Sequence, residues 1–200
     1  DPQERSAMHV AMEQQSITIS KANVQASLKA ETSVLAAANP KLGRFNPEES
    51  LGSQFDLPVT LINRFDVIFP LRDIPNKEKD RKIARHVLEE HKTEGRKMEI
   101  PRDLFRKYIA YARQKIVPRL SDEAIDEIEK FYIELRSTSV SSDTIRPIPI
   151  SARQLEALIR LSEASANCRL SSKVTIDDAK KAIDLMKYYL MQVGYDYETK

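Results

Sequence analysis

From Pro2 to Gln15 the apolar residues Ala7, Met8, Ala11 and Met12 recur at helical spacing. With Asp1 placed to cap and Pro2 suited to a first turn, the pattern predicts one short helix. The period then changes. Ser16-Ile17-Thr18-Ile19-Ser20 alternates strictly and Val24 to Leu28 alternates again. Between them Lys21-Ala22-Asn23 can turn, because Asn tolerates a positive φ, so a β-hairpin is expected. Thr32 to Ala38 is a run of small and branched apolar residues stopped by Asn39-Pro40, the pattern of a buried central strand. Residues 40–56 mix Pro, Gly, Asn and Ser without a period and read as a surface loop. Leu57 to Asn63 reads as a short helix and Val67 to Leu71 as a second buried strand, after which no further β structure is expected.

From Pro75 onward the pattern is helical, over roughly residues 77–94, 102–114, 122–138, 152–168 and 176–191. Three of these starts carry cap signals: Ser121 before Asp122 and Glu123, Ser151 with Gln154 three residues on, and Thr175 with Asp178 three residues on. Ser137 to Pro149, rich in Ser, Thr and Pro, is the expected linker between a helical hairpin and the last two helices. There is no internal repeat. Buried strands need neighbours on both sides, so residues 1–75 are expected to complete a sheet whose other strands lie in a preceding segment or a partner chain.

Composition narrows this picture only a little. In 200 residues, an apolar fraction of 41% is ordinary for a chain that buries a core. The 32 basic and 30 acidic residues nearly cancel, so any nucleic-acid site must be local. Charged residues at 31% with four glycines resemble the balance of proteins from hot environments. Cys168 is the single cysteine, which excludes an internal disulfide and a multi-cysteine zinc site and fits a reducing, cytoplasmic setting. No run approaches the roughly 20 apolar residues of a membrane helix, and the opening residues show no signal pattern, so no membrane partner is expected. The chain opens without Met, which suggests a fragment or a processed product.

The sequence holds no Gly-rich phosphate loop followed by Lys-Ser/Thr, and no apolar strand ending in paired acids suited to magnesium. It also lacks a His-Glu-x-x-His, a Cys/His cluster and a nucleophile elbow. His9, His86 and His91 are scattered on expected helices and read as surface residues. Between Arg96 and Arg119 basic residues outnumber the acids Glu99 and Asp103, a pattern that fits a solvated helix surface better than a DNA contact. Tyr108, Tyr111, Phe131, Tyr132, Tyr188 and Tyr189 fall at helical spacing and suit core or interface packing.

Several blocks then occur in a telling order. Arg5-Ser6-Ala7-Met8-His9, Ala11-Met12-Glu13-Gln14-Gln15 and Ile17 to Ala22 come first. Ser33 to Pro40 (SVLAAANP), Asp56-Leu57-Pro58, Asn63-Arg64-Phe65-Asp66 and Asp80-Arg81 follow, and the series closes with Ser151 to Ala164. Together they resemble the ATPase core of replicative DNA helicases of the archaeal-type minichromosome maintenance (MCM) family, downstream of its magnesium-binding motif, over nearly the whole chain. The resemblance implies part of an α/β AAA+ P-loop ATPase core over residues 1–75, holding a β-hairpin and sheet strands, and an all-α lid over residues 76–200. The chain is expected to be mostly helical.

The resemblance also assigns roles. Asn39 would be sensor 1, orienting the attacking water near the γ-phosphate, work that suits a carboxamide because it donates and accepts. Read by itself, Asn39 forms a turn before Pro40. Arg64 would be the arginine finger, neutralising charge on the phosphate of a neighbouring subunit's ATP in a way Lys could not copy. Alone, it reads as a surface ion pair with Asp66 or Asp56. Arg153, in the first turn of a capped helix, would be sensor 2, also acting across the subunit boundary; alone it is a solvated helix residue. Arg160 reads as structural. Lys21 would touch DNA from the hairpin, and copies around a ring would form a collar of positive charge gripping phosphates. Alone, it reads as an edge-strand Lys that blocks aggregation. The family often has Gly where this chain has Asn23.

The implied activity is ATP-driven unwinding of duplex DNA by a homo-oligomeric ring, a hexamer, near the nucleoid. ATP and Mg2+ would be bound mainly by residues of the missing N-terminal half of the ATPase, so the chain alone is expected to be inactive. The competing expectation is a non-enzymatic assembly or DNA-binding module derived from such an ATPase, with a protein-remodelling AAA+ ATPase third.

Overall fold

The computed structural model describes residues 2–21, 24–46, 49, 51–92, 100–140 and 151–192. These residues fall into two units, residues 2–68 and residues 69–192.

The first unit opens with helix α1 (Pro2–Gln14) and strands β1 (Ser16–Lys21) and β2 (Val24–Lys29). Gln15 between them sits at φ 52°, in the left-handed region. Its N–H still donates to the Ala11 carbonyl (3.0 Å), while its own carbonyl accepts from Ala30 (2.7 Å). One left-handed residue therefore closes the helix and aims the chain into the hairpin. The two strands pair antiparallel, Ile17 opposite Leu28, Ile19 opposite Ala26 and Lys21 opposite Val24, as the alternation predicts. Asp1, Ala22 and Asn23, where the cap and the turn were expected, lie outside the described residues.

The two buried strands do not form. Residues 32–38 and 67–71 carry no regular structure. Leu35 is fully exposed and Leu71 is 88% exposed. A hairpin strand brings its hydrogen-bonding partner with it, whereas these runs have no adjacent strand among the described residues, and apolar character alone cannot satisfy a strand's backbone.

The expected loop over residues 40–56 has more order than its composition suggests. A 3-10 turn (Leu51–Gln54) delivers the buried Gln54 side chain, whose Nε2 donates to the Asn46 (2.9 Å) and Glu49 (3.0 Å) carbonyls. Its Oε1 accepts from the Asn46 N–H at 2.7 Å. Gly43, at φ 75°, closes a turn onto the Pro40 carbonyl at 2.9 Å, a backbone position that favours glycine. The short helix α2 (Val59–Ile62) follows, with Leu61 and Ile62 buried.

The second unit holds the helices read from the sequence: α3 (Lys77–Lys92), α4 (Arg102–Lys115), α5 (Asp122–Val140), α6 (Ala152–Cys168) and α7 (Ile176–Gln192). Asn76 caps α3, its Oδ1 accepting from the N–H groups of Glu78 and Lys79, both at 3.1 Å. The expected linker begins later than its composition suggests, because residues 137–140 continue α5; residues 141–150 lie outside the described residues. Glu134 accepts from the Ser137 hydroxyl (2.8 Å), which lets a serine finish the helix rather than leave it.

The core of this unit is the packing of α5, α6 and α7. Ala124, Ile128, Phe131 and Leu135 of α5 recur every three or four residues and are buried. So are Ala157, Leu158 and Ala166 of α6, and Ala179, Ala182, Ile183, Met186, Tyr189 and Leu190 of α7. Each fully buried leucine side chain there contributes about 1.5–3 kcal/mol. Burial pushes the Tyr189 hydroxyl up to about 12. A short parallel pair, β3 (Arg119–Leu120) and β4 (Lys173–Val174), corrects the expectation that β structure ends near residue 71. Two residues are too few for any period to show. The pair sets two helix starts side by side, since Ser121 donates its N–H to Val174 (3.1 Å) and caps α5 through Ala124 (3.3 Å).

Candidate functional site

In the first unit, α1 is joined to α2 and to the turn after it by two polar rungs. His9 and Glu13 lie one turn apart on α1, and so face the same way. His9 Nε2 meets Thr60 Oγ1 at 3.1 Å, and Arg64 Nη2 donates to Glu13 Oε2 at 2.7 Å. The backbone fixes the second rung. Leu61 and Ile62 bond back to the Pro58 carbonyl (2.9 and 3.1 Å), and Arg64 bonds to Leu61 (3.0 Å), which carries the arginine one turn beyond the buried pair. The Arg64 side chain is only 14% exposed, and its Nε is buried without a hydrogen-bond partner. Its ion-pair partner is Glu13 rather than the Asp66 or Asp56 that sequence proximity suggested.

The other residues singled out from the sequence stand on separate elements. Asn39 is exposed in the irregular segment before Pro40, not at the end of a strand. Lys21 is the last paired residue of β1. Arg153 lies half-buried in the first turn of α6, its N–H donating to Ser151 Oγ at 3.3 Å. Ser151 N–H donates to Gln154 Oε1 at 2.8 Å, completing the capping box that the spacing predicted. Arg160 pairs with Glu156 one turn away at 3.4 Å, a surface pair of small energetic weight.

One heavily bonded side chain of the second unit has no full signal in the sequence. Asp178 was expected only to cap α7, and it does accept from the Thr175 N–H and hydroxyl, both at 2.9 Å. It also accepts from Ser165 Oγ (2.7 Å) and from Arg169, through Nε at 3.1 Å and through Nη2. Desolvation by itself would raise this carboxyl, which is fully buried, but the bonds from Arg169, Thr175 and Ser165 outweigh it and hold Asp178 well below the usual carboxylate range. The network ties the end of α6 to the start of α7. At that end Leu170 takes φ 55°, with Ser171 bonded to Ala166 and Leu170 to Asn167, both at 3.0 Å, a helix stop in which leucine replaces the usual glycine. The Tyr108 hydroxyl donates to the Cys168 carbonyl (2.6 Å) and pins α4 there.

Among the described residues no group of three or more His, Cys, Asp and Glu side chains could hold a metal ion. None of their helices is long and apolar enough to cross a membrane.

Family matches along the chain give the class: part of an α/β AAA+ ATPase core followed by a helical lid. Residues 1–91 match the MCM P-loop domain and residues 103–190 the MCM AAA-lid domain. The chain is 45% identical to the minichromosome maintenance protein MCM of Saccharolobus solfataricus, over 98% of this chain and 28% of that protein. It is 40% identical to the DNA replication licensing factor MCM4 of Arabidopsis thaliana, over 98% of this chain and 24% of that protein. It is 36% identical to the DNA helicase MCM8 of Xenopus tropicalis, over 94% of this chain and 26% of that protein. The chain belongs to the minichromosome maintenance family, and it spans about a quarter of the length of these relatives.

Proposed function

We propose that this chain is part of an ATP-driven DNA helicase motor. Asn39 orients the attacking water, Arg64 and Arg153 act on ATP held by a neighbouring copy in a hexameric ring, and Lys21 contacts DNA in the ring's channel. The observation that carries the proposal is Arg64. Its guanidinium stands one turn past two buried residues, and its Nε is a buried donor with no partner. A guanidinium at a transferring phosphate is worth roughly 10³–10⁵ in rate, and this one would meet phosphate oxygens through its Nη atoms, in place of Glu13. On this reading ATP and Mg2+ are held mainly by residues outside this chain. ATP supplies the phosphoryl group; this chain's residues neutralise charge and orient water.

The hairpin supports the DNA reading. Lys21 ends a regular two-stranded ladder, and one Lys per copy would add phosphate contacts without reading bases.

The test is ATP hydrolysis with and without single-stranded DNA. It compares this chain alone, the chain combined with an MCM segment bearing the phosphate loop, and that combination carrying Arg64→Ala or Lys21→Ala. The expected pattern is no hydrolysis alone and activity on combining. Arg64→Ala should cost about a thousandfold or more, while Lys21→Ala should weaken the stimulation by DNA. A folded combination that binds but never hydrolyses ATP would favour an assembly module.

A further inference from the structure

We infer that Glu13 is the positioning residue of Arg64: the carboxylate at the end of α1 sets where the guanidinium stands and is what that guanidinium exchanges for a phosphate. The inference rests on the reading of Arg64 as the residue that acts on a neighbouring ATP. Three observations carry it. Arg64 is 14% exposed and Glu13 57%, so the arginine sits fixed against the fold while the glutamate reaches in from a more open position. The contact is a charge-assisted bond of 2.7 Å between residues 51 apart in sequence, where no local helix geometry forces it. The parallel rung from His9 to Thr60, one turn earlier on both sides, docks α1 on α2 and so fixes the reach of Glu13.

A long side chain on a turn has several rotamers, and an arginine meant to meet a phosphate is useful only in those that face it. Glu13 removes that freedom by holding Nη2, while Nε stays buried and unpartnered. The same carboxylate competes with phosphate for the guanidinium. Glu13 therefore acts on the phosphate only through Arg64.

The experiment uses the complete ATPase that contains this segment, with Glu13→Ala, Glu13→Gln, Arg64→Ala and the double variant Glu13→Ala/Arg64→Ala. Glu13→Ala should lower kcat between about tenfold and a hundredfold and leave KM for ATP within about twofold. Glu13→Gln keeps an oxygen acceptor of the same reach and should recover part of the loss. In the Arg64→Ala background, removing Glu13 should cost nothing more. A second readout needs no turnover. Modification of Arg64 by an arginine-specific dicarbonyl, followed by mass spectrometry, should accelerate severalfold in Glu13→Ala, while Arg44 in the same unit keeps its rate. Full kcat in Glu13→Ala, where Arg64→Ala silences the enzyme, would overturn the positioning role and leave the Arg64 reading standing. A further loss from Glu13→Ala in the Arg64→Ala background would overturn it too, as the mark of a merely structural contact. Full activity in Arg64→Ala would remove both.

Discussion

Residues 122–192 and residues 2–68 solve the same problem in opposite ways. Within residues 122–192, α5, α6 and α7 turn Phe131, Leu158 and Leu190 toward one core, and two side chains, Ser121 and Asp178, fasten the helix starts, while α3 and α4 bury no residue. In the hairpin unit the β-strands satisfy each other, but Val34, Leu35 and Leu42 stand exposed, and the buried set is small. The difference teaches that a helix carries its hydrogen bonds within itself and needs only a face to pack, while a strand needs a neighbour before its apolar residues are worth anything. Arg64 is an exception in the hairpin unit, its N–H bonded to the Leu61 carbonyl and its guanidinium to Glu13.

That contrast can be broken by substitution. Leu158→Ala should destabilise the helical unit by about 2–5 kcal/mol, because Leu158 is fully buried. Leu35→Ala should change stability by less than about 0.5 kcal/mol, because Leu35 has nothing to lose. Thermal melts of the two variants decide it, and equal effects would erase the contrast.

Asp178 sharpens it at smaller scale. Asp178→Asn should cost roughly 2–4 kcal/mol, since Arg169, Thr175 and Ser165 keep donors aimed at a side chain that no longer carries charge. The sign of the pH dependence follows from its depressed ionisation. The folded form keeps the carboxylate that the unfolded chain protonates near pH 4, so this stabilisation is present above about pH 4 and is lost as the pH falls below it. Acid titration of the α5–α7 signal should show a component that Asp178→Asn abolishes.

The helical unit was largely legible in the sequence, because 3.6-residue spacing and cap residues act locally. Ser151 with Gln154 and Thr175 with Asp178 needed only their neighbours to be read. The β3–β4 pair and the Arg169–Asp178 bond were not, since each depends on where two helices end in space. In the first unit the hairpin was legible from alternation, and the buried strands were wrongly expected because an apolar run records what a strand would bury and not whether a partner stands beside it. The candidate site rests mainly on resemblance. Asn39, Arg64, Arg153 and Lys21 came from ordered blocks, whereas Glu13 lay within one of those blocks with no signal beyond its one-turn spacing from His9.

The claim that Arg64 works on a neighbour's ATP is met most directly by mixing two inactive rings, one carrying Arg64→Ala and the other a disabled phosphate loop. Mixed rings contain interfaces that pair an intact Arg64 with an intact loop from another copy, so the account predicts that ATP hydrolysis returns on mixing. Mixed rings that assemble and stay silent at every ratio would contradict it.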